Sequence, residues 1–183
     1  NSYSDKLPSV LSDNRKGAYL AGRYLIEHGH KTVALLAGVR SYLSNQERTA
    51  GFLQAFQEEG LSIPPELILE TGSWLYDAAE KVCLNFFNTY TGEMPTALFA
   101  FNDRLATGAI NAICKTGRTV PDDVSVIGYD NLGYYNIISP RITTVETHIE
   151  AISESTVMHM IWQLNNGSCL PVKVLTPVEV ISG

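Results

Sequence analysis

Apolar positions along this chain alternate between two rhythms. The runs TVALLA (Thr32–Ala37), PTALFAF (Pro95–Phe101) and VSVIGY (Val124–Tyr129) are short, β-rich and apolar throughout, which suits strands buried on both faces of a parallel sheet. Between them, apolar residues recur at helical spacing. Arg15–His28 carries Ala18, Ala21, Gly22 and Leu25 at i, i+3, i+4 and i+7, with Asp13 or Asn14 available as a cap and a stop at Gly29. A polar loop, Gly38–Asn45, precedes a helix predicted over Glu47–Glu59, with Ala50, Leu53 and Phe56 inward and Gly60 closing it. After the Pro64-Pro65 turn come a strand near Leu67–Glu70 and a helix near Asp77–Thr89 presenting Ala79, Val82, Cys83 and Phe86. Strand Thr96–Phe101, helix Asp103–Thr116 (Ala106, Ala109, Ile110, Ile113) and strand Val124–Tyr129 complete the regular part.

Strands alternating with helices imply an α/β fold with a parallel, doubly wound sheet, because parallel strands need crossover connections. The ends fit this plan less well. Ser9–Ser12 reads as a strand with no immediate partner. Ile142–Val145 is strand-like, Ile149–Asn165 is a long helix with Val157, Met160, Ile161 and Leu164 on one face, and Val172–Ile181 is a final strand region. These outer pieces resemble parts of a second lobe.

Composition narrows the function. At 183 residues with 45% hydrophobic and 17% charged residues, the chain reads as globular. A net charge of −6 argues against this stretch gripping nucleic acid by itself, which needs a basic face. No apolar run approaches the roughly 18 residues of a membrane span, and Asn1-Ser2-Tyr3 begins no signal peptide. The three cysteines, Cys83, Cys114 and Cys169, show no metal-ligand spacing. Cys83 and Cys114 are expected as buried thiols, and a reducing cytoplasm fits. His28 and His30 flank a turn glycine and His159 lies on a helix; all three are expected as ordinary surface or helix residues. There is no GxSxG, P-loop, HExxH or GxGxxG motif, so no enzyme activity, no metal and no cofactor are expected.

A binding constellation remains. In open α/β sheets the ligand crevice lies beyond the carboxyl ends of the strands. The polar or aromatic residues placed there are Arg48, Trp74, the pair Asn102-Asp103, and Asp130 with Asn131. Arg48 is expected in the first turn of its helix, where the macrodipole disfavours a cation, so it needs a partner such as Asp130 or a ligand. An Arg–Asp pair that merely ties two loops together is the plainer alternative. Trp74 supplies an aromatic face beside planar hydrogen-bonding groups, which a sugar ring or a flat heterocycle can use; partial burial under a loop is its alternative. For Asn102 the alternative is a helix cap.

The segments DNRKGAYLAGRYLIEHGHKTVALLAG (13–38), QERTAGFLQAF (46–56), PTALFAFNDRLATGAINAI (95–113) and VPDDVSVIGYDN…SPRITTVE (120–146) resemble the effector-binding region of lactose/galactose-repressor-type (LacI/GalR family) bacterial transcription regulators. The similarity runs from Ser9 to Val180. It implies a periplasmic-binding-protein-like fold of two α/β lobes hinged by crossing strands. Residues 1–14 would be a remnant of the N-terminal lobe, 15–135 a complete C-terminal lobe, and 136–183 crossover strands and a helix returning to the partial N-terminal lobe. By the same resemblance the Arg of the ERxxGF-like motif, here Arg48, contacts the effector, and the aromatic after the next strand, here Trp74, stacks on it. The Asn of the ND motif, here Asn102, and the first Asp of the GYD motif, here Asp130, bind it. Where the family often has a second Asp, this chain has Asn131. The implied partners are a sugar-like small-molecule effector and a second copy through the C-terminal lobe. Operator DNA would be reached only through an N-terminal helix-turn-helix that is absent from this chain. The apolar loop Leu132–Ile138 is a candidate interface patch, or Tyr134 and Tyr135 fold under the lobe. A periplasmic-type sugar-binding protein is the alternative reading.

Overall fold

The computed structural model describes residues 7–133, 141–167 and 171–183. The chain runs β1 (Ser9–Ser12), α1 (Asn14–Glu27), β2 (Val33–Ala37), α2 (Leu43–Glu58), a 3-10 turn at Pro65–Leu67, β3 (Ile68–Glu70), α3 (Tyr76–Thr89), β4 (Ala97–Ala100), α4 (Asp103–Lys115) and β5 (Ser125–Asp130). It continues through β6 (Thr143–Glu146), α5 (Ile149–Asn166), β7 (Lys173–Thr176) and β8 (Glu179–Ile181). The main sheet has six strands in the order β3-β2-β4-β5-β6-β8. Its strands pair in parallel except β8, which runs antiparallel to β6. The fold is thus the expected α/β doubly wound sheet with flanking helices, extended at one edge by a returning strand.

The apolar runs are buried on both faces: every residue of β2 and of β4 is buried. Around them, Phe52 stacks between Phe56 and Phe99, with ring centroids 4.9 Å apart in both pairs. Helices α1 and α2 cover one region of the sheet and pack closely on each other, as do α3 and α4. At the α1–α2 crossing, a Cβ on Gly51 would overlap the Arg15 carbonyl oxygen. Only a glycine lets the two backbones approach so closely.

Several expectations change. Helix α2 begins at Leu43, so the last three residues of the polar loop 38–45 are already helical. Its buried face is Asn45, Arg48, Gly51, Phe52, Ala55 and Phe56, and Ala50, expected inward, is exposed. The reason is that Asn45 and Arg48 lie on the inward stripe, and counting apolar residues alone rotates the face. Cys114 is exposed while Cys83 is buried, because Cys114 falls off the α4 stripe that runs through Leu105, Ala106, Ala109, Ala112 and Ile113. Cys169 and most of the loop Leu132–Ile138 lie outside the described residues.

The ends are resolved by long-range pairing. β1 pairs in parallel with β7, in the register Ser9↔Lys173 to Ser12↔Thr176, forming a separate two-stranded sheet. The final strand region divides at Pro177-Val178 into β7 and β8, which join different sheets. Proline cannot donate to a ladder, so a break there is natural. Helix α5 has no buried residue, and Val157, Met160, Ile161, Trp162 and Leu164 are all exposed along it.

Gly51→Ala is expected to destabilise the fold by about 1–3 kcal/mol through overpacking against the Arg15 carbonyl. Ala50→Ser, one residue away but facing solvent, is expected to cost no more than about 0.5 kcal/mol. Urea unfolding of both variants checks which face of α2 is inward; equal effects would contradict it.

Candidate functional site

Strands β2, β3, β4 and β5 are mutually parallel, so their carboxyl ends reach one edge of the main sheet. That edge receives the segments beginning at Gly38, Thr71, Phe101 and Asn131. Arg48 is directed at it from the second turn of α2, since the helix starts five residues earlier. Its guanidinium is buried, and each of its three nitrogens makes a hydrogen bond. Nε donates to Asn14 Oδ1 at 2.9 Å, Nη1 donates to the Phe101 carbonyl oxygen, and Nη2 donates to Asp130 Oδ1 at 3.3 Å. The Arg48 Cζ lies over the Tyr129 ring, 3.6 Å from the centroid. A desolvated cation needs such surroundings, because an uncompensated buried charge is very costly. The expected Arg48–Asp130 pair is therefore present, and it joins the ends of β4 and β5 to the start of α1.

Asp130 is the outer member of the pair, its side chain 27% exposed against 9% for Arg48. Burial raises its pKa and Arg48 opposes the rise. Asn102 and Trp74 form a second small cluster. Asn102 Oδ1 accepts from Leu105 N at 2.7 Å and caps α4, the role weighed for it from sequence. Its Nδ2 donates to the Trp74 carbonyl oxygen at 3.5 Å. Trp74 is half-buried; its indole lies over Gly38, where a Cβ would overlap the ring, and its ring centroid is 6.0 Å from that of Tyr42. Arg48 bonds Phe101, the residue before Asn102, so the two clusters share one strand end.

Two participants were not singled out from sequence. The sequence offers Asn14 only as a possible cap, yet Asp13 caps α1 by accepting from Lys16 N at 2.9 Å. Asn14 is thereby released to hold Arg48 Nε, while its Nδ2 donates to Glu47 Oε2 at 3.3 Å. Tyr129 reads as an ordinary core residue in the strand pattern, and nothing local marks its ring as a platform for Arg48. Asp103, named from sequence only as the neighbour of Asn102, is 3% exposed. Its carboxyl is pushed up to about 6, by burial first and then by the Asp130 charge, against the opposing Thr144 hydrogen bond.

The chemistry on offer is recognition: an aromatic face, a carboxylate with an exposed edge, and a cation whose position is fixed. Among the described residues no group of three or more His, Cys, Asp or Glu is arranged to hold a metal ion, and no helix is long and apolar enough to cross a membrane. A cavity of about 380 Å³ lined by Met158, His159, Trp162, Gln163 and Val172 lies against α5, and none of the four candidate residues lines it.

Two outcomes are expected. Arg48→Met leaves the partly buried Asp130 without its cation and lowers stability by about 3 kcal/mol in chemical denaturation. Asp103 has a raised folded-state pKa, so the folded protein holds that proton more tightly than the unfolded chain. The stability this confers is full below the ordinary carboxylate range and is lost as pH rises through about 6. The stability of Asp103→Asn relative to wild type should therefore grow between pH 4.5 and pH 7; a flat difference would contradict this.

Residues 23–183 match the family of periplasmic binding protein-like domains. The chain is similar to the HTH-type transcriptional repressor PurR of Aliivibrio fischeri, 36% identical over 154 residues, which is 84% of this chain and 45% of that protein. It is also similar to the HTH-type transcriptional repressor PurR of Vibrio parahaemolyticus, 41% identical over 142 residues, 78% of this chain and 42% of that one. The chain thus spans less than half the length of these relatives. Among solved structures, the Lac repressor dimer bound to operator and the anti-inducer ONPF superposes with a TM-score of 0.86 at 28% identity, over 98% of this chain and 53% of that one. The chain belongs to the periplasmic binding protein-like domain family, in the form carried by lactose/galactose-repressor-type regulators.

Proposed function

We propose that this chain is the effector-binding and dimerisation part of a cytoplasmic transcriptional repressor, and that Arg48, Trp74, Asn102 and Asp130 contact its small-molecule effector. The observation that carries the reading is the Arg48–Asp130 pair at the carboxyl edge of β4 and β5, the edge where open α/β sheets bind ligands. Asp130 offers an acceptor to a donor pair on the effector, Trp74 offers a stacking face, and Arg48 is held in place beneath. That combination suits a sugar or sugar derivative.

In this reading residues 15–135 form the lobe that presents the four contacts, residues 1–14 and 136–183 lead to and from a second lobe, and the exposed apolar face of α5 is covered by that lobe. The relatives named above are repressors, and the superposable Lac repressor is a dimer bound to operator. Accordingly the whole protein would pair through this lobe and read its operator through a helix-turn-helix outside residues 1–183. Effector bound between the lobes changes DNA affinity only by binding the two lobe arrangements unequally. These relatives favour the repressor reading over a periplasmic-type sugar-binding protein.

The test is tryptophan fluorescence of the full-length protein carrying Trp162→Phe, which removes the exposed second tryptophan of this sequence. It is titrated with D-glucose, D-galactose, glucose 6-phosphate and hypoxanthine. The expected outcome is a saturable change with one compound and at least tenfold weaker binding in Asp130→Ala, since a hydrogen bond to a charged group is worth about 1.5–3 kcal/mol. Saturable binding that is indifferent to Asp130→Ala would place the effector elsewhere.

A further inference from the structure

The turn that presents Asp130 has an unusual backbone. Asp130 has φ 102° and Asn131 φ 50°, both in the region that side-chain-bearing residues avoid. Such conformations persist only where the surroundings impose them. The surroundings here converge on one buried group, the Asp103 carboxylate at the start of α4. Its Oδ2 accepts from Leu132 N at 3.2 Å, and the Asn131 N–H also acts on it. Its Oδ1 accepts from Thr144 Oγ1 of β6 at 2.5 Å.

To make both contacts, Asp103 has to cross beneath β5 from β4 to β6. The crossing passes Gly128, where any Cβ would overlap Asp103 Oδ1. Besides the Arg48 bond to Asp130, the turn is tied to β6 and the residue that follows it: Thr147 Oγ1 donates to the Asp130 carbonyl oxygen at 3.1 Å, and Asn131 Nδ2 donates to Glu146 Oε2. Glu146 and Thr147 thus hold the turn from one side, and Asp103, itself bonded by Thr144, holds it from below.

We propose that Asp103 is the positioning residue of the effector site: it touches no effector, and it fixes the turn 130–132 so that Asp130 faces Arg48. The proposal rests on the reading of Asp130 as an effector contact. It accounts for a buried carboxylate that has no cation among its hydrogen-bond partners in the described residues and whose ionised form burial disfavours. A group held at a cost to stability is expected where it serves the site. It also links three separated pieces of the sequence, Asn102-Asp103, Gly128-Tyr129-Asp130 and Thr143-Thr144, as parts of one latch.

The test uses the full-length protein with Asp103→Asn, which replaces an acceptor oxygen by an amide, and Thr144→Val, which removes one donor and leaves the Asp103 charge. Crystal structures of both variants, thermal melts, and the Asp130 side-chain carboxyl 13C resonance are compared with wild type. Each variant is also titrated with D-glucose, D-galactose, glucose 6-phosphate and hypoxanthine. The expected result is melting within a few degrees of wild type or above it, Asp130 out of the positive-φ region in Asp103→Asn, and a displaced Asp130 carboxyl resonance in both variants. Whichever of the four compounds binds wild type should bind Asp103→Asn at least tenfold more weakly. An unchanged Asp130 conformation and resonance in both variants would overturn the proposal whatever the titrations show. A displaced Asp130 when none of the four compounds binds wild type supports the positioning role and counts against the effector reading alone. Should Asp103→Asn not fold, the Thr144→Val resonance decides.

Discussion

A guanidinium taken out of water fixes its own neighbourhood, and in this protein the edge of the sheet is organised around one. Arg48 is buried by α2, and each of its nitrogens is engaged by a different piece of chain: the first residue of α1, the carbonyl that ends β4, and the carboxylate that ends β5. The Tyr129 ring closes the remaining face. Desolvation leaves little tolerance for a missing acceptor, so the loops that follow the strands are held relative to one another by a single side chain. A separate bond, from Gly38 N to Asn45 Oδ1 at 2.9 Å, ties the start of α2 to the end of β2.

Around this anchor the packing follows from absent side chains as much as from large ones. Gly51 lets α1 and α2 touch backbone to backbone, Gly38 admits the Trp74 ring, and Gly128 opens the path by which Asp103 reaches β6. Each removes a Cβ where two elements meet. Stability and presentation of the edge are therefore decided by the same contacts. The aromatic stack of Phe52, Phe56 and Phe99 then fills the space between α2 and the sheet with ordinary apolar packing.

The second, smaller sheet has a different character. β1 and β7 pair only with each other among the described strands, and α5 beside them buries none of its side chains. A two-stranded sheet is marginal as a folding unit in water, and a row of exposed apolar residues on α5 is what remains when a helix lacks a layer to pack on. The chain crosses to this region after Ser12, after Glu146 and before Glu179. Asn14 and Thr147 stand beside the first two crossings and bond Arg48 and Asp130 directly, so the proposed effector contacts sit against the connections between the two sheets.

How much of this was legible in advance depends on the range of the interaction. Runs of apolar residues and helical spacing are local, and they placed β2, β4, β5, α1, α3 and α4 within a residue or so, with the order that makes the sheet parallel. They also placed Arg48, Trp74 and Asn102 beyond strand ends and Asp130 at one, because a strand's end is visible in its own sequence. The inward face of α2 was misread because its buried polar residues carry no hydropathy signal. Only the tertiary structure decided that β1 pairs with β7, that Asn14 serves Arg48 instead of capping α1, and that Asp103 reaches Thr144 beneath Gly128. Each of these joins residues far apart along the chain, whose side chains would be equally satisfied by water. Nothing but the three-dimensional arrangement of the backbone selects one partner over the other.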